Sequence, residues 1–273
     1  MECFIIFVMA WCWFNATESK PHNVGGNNIE RHNHMKKLQE FEEWFDKIVT
    51  QKLQNEKMQF VWELMKSHYV EYHYELLKNK TIIGGDFWMS LCGRFDEHKE
   101  KGELLLLSKL DNNEDIDFQA EIIFLLGTIS GQHKNRTLEY ARQFTNSEDD
   151  YTRDRAIIVL GWLGTIQDTK LLEKHLLDDT NSKCRAWSAS SYMQMWFRRK
   201  SDNLKINAFK SFQKALQNET DYFVLATIIE VIREIGQTKL GISQTALDNL
   251  EIEKIDITRI KAMRYLDKIL KNA

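Results

Sequence analysis

Proline is almost missing from this chain. One proline, Pro21, stands among 273 residues, and only 12 glycines accompany it, so from Met35 onward little interrupts a helix. Strand signals are equally scarce. The four cysteines, Cys3, Cys12, Cys92 and Cys184, form no C-x-x-C pair, which excludes a disulfide framework and a zinc knuckle and makes a reducing cytosol the default compartment. Neither sign of charge dominates: 37 basic against 40 acidic residues give a formal net charge of −3. That balance argues against a protein built mainly to hold duplex DNA or an anionic membrane, although it allows a local basic patch. Catalytic and phosphate-binding signatures are missing as well: H-E-x-x-H, G-x-S-x-G, G-x-x-x-x-G-K-[ST] and G-x-G-x-x-G do not occur. No catalytic residue, cofactor or metal is therefore expected.

A long apolar run is lacking too. Residues 3–14 (CFIIFVMAWCWF) are strongly apolar, but twelve residues fall short of the ~20 that a membrane-crossing helix needs. Glu2 precedes them and no Lys or Arg does, unlike the positive start of a secretory signal. Three readings stay open for residues 1–34: a leader upstream of a natural start at Met35, an export signal or membrane anchor, or an ordered apolar cap. His22, His32 and His34 lie in this stretch and read as part of a polar tail rather than a metal site.

What remains is helical pattern, with 43% apolar residues to supply a core. Residues 36–55 and 56–79 space their apolar side chains by three and four, and Gly84-Gly85 then breaks the pattern ahead of a short helix around 87–95. These segments form an expected N-terminal helical cap, residues 35–98. His68 and His73 fall five apart on the second helix, which turns them away from each other and from shared metal ligation. From 99 to 273 helical hairpins follow: 99–110 with 116–130, 136–146 with 151–164, 169–177 with 182–199, 203–217 with 221–236, and 244–250 with 256–271.

Two of the second helices repeat each other thirty residues apart. In DDYTRDRAIIVLGWLG (149–164) and DTNSKCRAWSASSYMQM (179–195), Asp149 and Asp179 each precede an arginine by six, Arg155 and Arg185, and Trp162 aligns with Tyr192. LLGTIS (125–130) also recurs as VLGWLG (159–164), and small residues at such places let helices approach closely. At these positions the chain resembles the HEAT-repeat family, whose repeats place an Asp in the inter-helix turn and an Arg early in the second helix. The resemblance spans 99–271, is clearest over 136–199 and fades in the last hairpin. It implies an all-α fold, a right-handed α-solenoid of helical hairpins, and it fixes a fold rather than a function. On it, Asp149, Arg155, Asp179 and Arg185 are expected to form a structural ladder between neighbouring turns.

The stretch 184–200 (CRAWSASSYMQMWFRRK) carries the most information about function. As one helix it places Ala186, Ala189, Met193 and Phe197 on a core stripe, and Arg185, Ser188, Tyr192, Trp196 and Arg199 on a second stripe. With the thirty-residue offset, Trp162, Tyr192, Trp196, Arg198 and Arg199 are expected to share an inner face rich in hot-spot residue types. Acidic residues in the turns, Asp150 and Asp178 among them, would supply a negative edge that speeds encounter with a basic partner. Cys184, beside Arg185 at a helix start, reads as a spacer thiol rather than a nucleophile.

The make-up points to a protein-binding module. In architecture and in phrases such as GWLG and RAWSASSYMQMWF it resembles the helical-repeat immunity proteins of bacterial polymorphic-toxin and contact-dependent inhibition systems. That resemblance implies a cytoplasmic inhibitor that occludes the active site of a cognate toxin, with a membrane role only if residues 3–14 are an anchor. The alternatives are a regulatory scaffold and an enzyme on nucleic acid resembling the HEAT-repeat alkylpurine DNA glycosylases, for which Trp162, Trp187, Tyr192 and Trp196 with Arg185 or Arg199 are the candidates.

Overall fold

The computed structural model describes residues 36–271, and the expectations for residues 1–34 lie outside them. Among the described residues the secondary structure is α-helix with short 3-10 turns and no strand. Five helices come first: α1 (Leu38–Thr50), α2 (Lys57–Lys66), α3 (Val70–Lys78), the single turn α4 (Lys80–Ile83) and α5 (Gly85–Cys92). The apolar spacing over 56–79 suggests one helix, but the backbone breaks at Ser67, whose hydroxyl donates to the Leu64 carbonyl at 2.7 Å and accepts from the Tyr69 N–H at 3.2 Å. A serine hydroxyl that offers the backbone this alternative ends helices. Gly84 takes φ +80 between α4 and α5, a conformation open to glycine.

Helical hairpins follow. The first helices are α6 (Lys99–Asp111), α8 (Lys134–Phe144), α10 (Thr169–Asp178), α12 (Asp202–Asn218) and the short α14 (Gln244–Asp248). Their second helices are α7 (Gln119–Ile129), α9 (Asp150–Leu163), α11 (Ser182–Arg198), α13 (Tyr222–Gly236) and α15 (Ile252–Lys271). Side-chain caps start three of the second helices: Asp149 accepts from Thr152 N, Asn181 from Lys183 N and Cys184 N, and Asp221 from Phe223 N and Val224 N. Each cap satisfies backbone donors that the first turn leaves open.

The second helices pack in sequence, α7 on α9, α9 on α11, α11 on α13 and α13 on α15, while α10 packs on α12 among the first helices. This is an all-α solenoid. Its apolar interior forms two clusters, one running from Phe41 to Leu126 and one from Ile123 to Leu266. Tyr140 and Phe144 of α8 touch both, which joins them.

Glycine sets the spacing of the second-helix row. A Cβ at Gly127 would lie 2.6 Å from the Val159 side chain, and one at Gly161 would lie 2.8 Å from Ser191 Oγ and 2.9 Å from Ser191 Cα. The Ser191 hydroxyl uses that closeness to donate to the Ile157 carbonyl at 2.8 Å. Gly161→Val is therefore expected to cost ~2–3 kcal/mol, because the obstructing atom is backbone and cannot rotate away. A thermal melt followed by circular dichroism checks this: the midpoint falls by ~5–10 °C while the helical signal before the transition is retained.

Candidate functional site

The caps set the repeat register. Asp149 and Asn181 are equivalent, so α9 and α11 are offset by 32 residues, and the same cap in α13, Asp221, lies 40 further on. The thirty-residue alignment is thus two residues out, a rotation of about 200° on a helix. Every pairing drawn from it changes face.

The ladder is the first correction. Asp149 turns its carboxylate onto its own helix, accepting from Thr152 N at 2.8 Å and Thr152 Oγ1 at 2.7 Å. The ladder arginines are Arg153 and Arg185, four residues after equivalent caps. Arg153 donates to the Ser147 and Glu148 carbonyls, both at 2.9 Å, and reaches Asp179 at 3.0 and 3.2 Å. Arg185 repeats this, donating to the Asp179 and Thr180 carbonyls and pairing with Glu219 at 2.7 and 3.1 Å. Asp179 and Arg185 are rungs, then, but with other partners than expected. Arg155 is not a rung.

The second correction concerns the aromatics. Tyr192 is fully buried, its hydroxyl donating to the Thr169 carbonyl at 2.8 Å and sharing a hydrogen bond with Ser211 Oγ at 3.0 Å. Trp196 is buried as well. Helix α11 sits between α9 and α13 with α10 and α12 behind it, so both of its expected stripes are core and amphipathic reasoning cannot separate them. Phe197, expected in the core, is instead 52% exposed on the last turn. Neither Tyr192 nor Trp196 is available to a partner.

What the second-helix row does present is a cluster at α7 and α9. The Arg155 guanidinium lies 4.4 Å from the Phe124 ring centroid and 4.8 Å from that of Tyr151. The Tyr151 hydroxyl accepts from Arg155 Nη2 at 2.9 Å and donates to Glu121 Oε1 at 2.7 Å. Trp162, half-buried, packs against Phe124 with centroids 5.1 Å apart. Beside them Asp154 stands with Oδ1 3.9 Å from Arg155 Nε. Burial raises the Asp154 carboxyl to about 6, against the opposing pull of Arg155 and Lys183. Cation-on-ring packing of Arg155 holds these side chains in one arrangement, and the sequence alone offered no sign that Phe124 and Tyr151 would flank it.

The charged candidates divide between two edges. Turns from first to second helices carry exposed Glu148, Asp149, Asp150 and Asp178. Turns from second to first helices carry exposed Arg198, Arg199 and Lys200, with Ile166 at 43% and Phe197 at 52% exposed. Arg198 donates to the Gly164 carbonyl, which ties the end of α11 to the α9–α10 turn. Helix α9 has 14 residues, so the acidic and basic edges are about 21 Å apart. Both sit where they also suit the second-helix dipoles, acid at N-termini and base at C-termini. Asp150 and Asp178 therefore belong to one edge, Arg198 and Arg199 to the other, and only a ligand of protein size spans both.

Three chemistries find little here. Burial pushes the Cys184 thiol up to about 12, and the adjacent Arg185 head is taken by Glu219, so no thiolate forms there. Among the described residues no group of three or more His, Cys, Asp or Glu is placed to hold a metal ion. No helix among them is long and apolar enough to cross a membrane.

Comparison with known proteins agrees with this geometry. Residues 104–193 match the family model of HEAT repeats. The match takes in α7, α9 and most of α11, and with them the caps of α9 and α11, Gly127 and Gly161, and the ladder arginines Arg153 and Arg185. HEAT repeats as a class build protein-interaction surfaces from stacked hairpins. No curated protein and no solved structure gives a significant match.

Proposed function

We propose that this chain is an immunity protein: an inhibitor that binds a cognate toxin domain across its second-helix row and covers the toxin's active site. One observation carries the reading. The row holds a central aromatic cluster (Phe124, Tyr151, Trp162) packed around the buried Arg155, between an acidic and a basic edge. Aromatic anchors inside a charged rim are the usual anatomy of a protein interface. A standard interface of ~800 Å² per partner is wide enough to reach both edges. The acidic edge suits a toxin with a basic cleft, such as a nuclease, and opposed charges would speed encounter. Action inside a bacterial cytoplasm follows from this reading.

The test is rescue. The C-terminal domain encoded by the neighbouring reading frame is expressed in a sensitive host with and without this chain, and growth is expected to return with it. Phe197→Ser with Arg199→Glu is expected to weaken the complex by ~2 kcal/mol or more, about thirtyfold, with the melt unchanged because both side chains are exposed. Arg198→Ala tests the same edge through its tie to Gly164. No complex with that domain, or full rescue by the double variant, removes the proposal.

A second reading, an enzyme on nucleic acid, draws support from Asp154, a carboxylate beside Arg155, whose guanidinium packs on the Tyr151 and Phe124 rings. It requires DNA or RNA binding that weakens steeply as salt rises. A gel-shift titration between 50 and 200 mM salt decides it.

A further inference from the structure

We propose that the outward face of α15 is a self-association surface, on which α15 of a second copy of this chain packs antiparallel about a twofold axis. The inference goes beyond the immunity reading and stands or falls independently of it.

The last helix of a solenoid needs a polar outer face, because no further repeat covers it. Helix α15 departs from that rule. Its Ile255, Ala262 and Leu266 are fully buried where it packs on α12, α13 and α14, so the opposite side of the helix points away from the stack. On that side stand Glu253, Ile257, Ile260 and Arg264, all exposed, the two isoleucines at 56% and 55%. Steps of four, three and four residues separate them, the spacing of the seam along which two helices interdigitate. Two adjoining isoleucines in the middle of such a seam are the side chains a facing helix buries.

The charges choose the occupant. Ile257 and Ile260 flank the centre of the seam, and Glu253 and Arg264 each stand four residues outside them. An antiparallel copy therefore sets Ile257 on Ile260 of the second copy and Glu253 on Arg264 of the second copy, and a twofold interface makes each contact in both directions. A parallel copy would oppose Arg264 to its own equivalent, and a uniformly acidic partner would set like charge against Glu253. Neither Glu253 nor Arg264 forms a salt bridge among the described residues, whereas the neighbouring Lys254 is held by Glu251 at 2.7 Å. Exposed Lys261 and Lys268 border the seam and leave one side of it basic, so the pair is a loose one. One helix from each copy buries less than ~1,200 Å², the size of weak and transient interfaces, which corresponds to a Kd of ~10–100 μM.

Sedimentation equilibrium of the full chain tests this. From ~5 to ~500 μM, a range that brackets such a Kd, the weight-average mass is expected to rise from that of one chain toward that of two. Ile257→Glu is expected to leave monomer alone at every concentration, with an unchanged melt because the side chain is exposed. Glu253→Arg and Arg264→Glu each set like charges opposite one another and are expected to weaken the dimer about tenfold or more. Combined in one chain they exchange the pair, and dimerisation is expected to return to within about threefold of wild type. A monomer throughout the range, a dimer that survives Ile257→Glu, or a combined variant as weak as the single ones overturns the proposal. So does a chain that dimerises only once residues 1–34 are removed, which would make that segment the occupant of the face.

Discussion

Arg153→Ala is expected to destabilise the fold by ~3–5 kcal/mol, the largest effect of any single charge removal in the repeats. Arg153 and Asp179 are 12% and 3% exposed at their side chains, so their removal from water is nearly complete. Burial alone would raise the Asp179 carboxyl. Hydrogen bonds from Arg153, the Asn181 N–H and His175 outweigh it and hold the carboxyl below the ordinary aspartate value. Deleting the arginine leaves a buried carboxylate with two donors instead of three and frees the Ser147 and Glu148 carbonyls from their partner. Urea melts should show the loss, and Arg153→Ala with Asp179→Asn should cost less than the sum of the two single changes. Arg185→Ala, which strands Glu219, should behave alike. Lys214→Ala, which breaks an exposed pair with Glu173, should cost under about 1 kcal/mol. Equal losses at Arg153 and Lys214 would show that the ladder does not carry stability.

Acidification is expected to weaken the N-terminal helices by about 2 kcal/mol for each of two histidines between pH 7 and 5. His73 Nε2 lies 3.0 Å from the Leu91 carbonyl, which only accepts, so that nitrogen carries the proton. Its Nδ1, 2.9 Å from His98 Nε2, must then accept from it. A proton added to His73 Nδ1 would set two N–H groups against each other. Burial, with His98 adding to it, lowers His73 to about 3, and burial lowers His98 to about 4 against the pull of Glu97. Both folded values lie below the unfolded ~6.5, so the unfolded chain binds more protons as pH falls. Stability is full above about 6.5 and is lost as pH drops toward 4, at ~1.4 kcal/mol per histidine per pH unit. Asp154, raised rather than lowered, acts in the opposite sense below 6. The histidine contribution is therefore read as a difference: His98→Gln should flatten the dependence of urea-melt stability on pH by about half the histidine effect. Identical slopes in variant and wild type would contradict it.

How much of this was legible beforehand depends on what sets each feature. Helices and hairpins follow from apolar spacing and from the scarcity of proline, both local properties, and the recurrence of Gly127 and Gly161 correctly marked where second helices close up. The register was not legible from identical letters. Asp149 aligns by eye with Asp179, but its true counterpart is Asn181, because an N-cap needs only a side-chain acceptor and aspartate and asparagine serve equally. That two-residue slip turned Arg155 into a supposed rung and Tyr192 into a supposed contact. Phe197 was missed for a different reason: α11 is enclosed on most sides, so its exposed residues are set by where the helix ends rather than by any stripe. The His73–His98 pair joins residues 25 apart across a helix boundary, and no spacing rule connects them.

A partner that docks on the second-helix row leaves a footprint there. Hydrogen–deuterium exchange on the complex with the neighbouring frame's C-terminal domain measures it most directly. Slowed exchange in 119–129, 150–163 and 182–199, with 134–144 and 169–178 unchanged, is the predicted footprint. Protection confined to the first helices, or to residues 36–98, would contradict it.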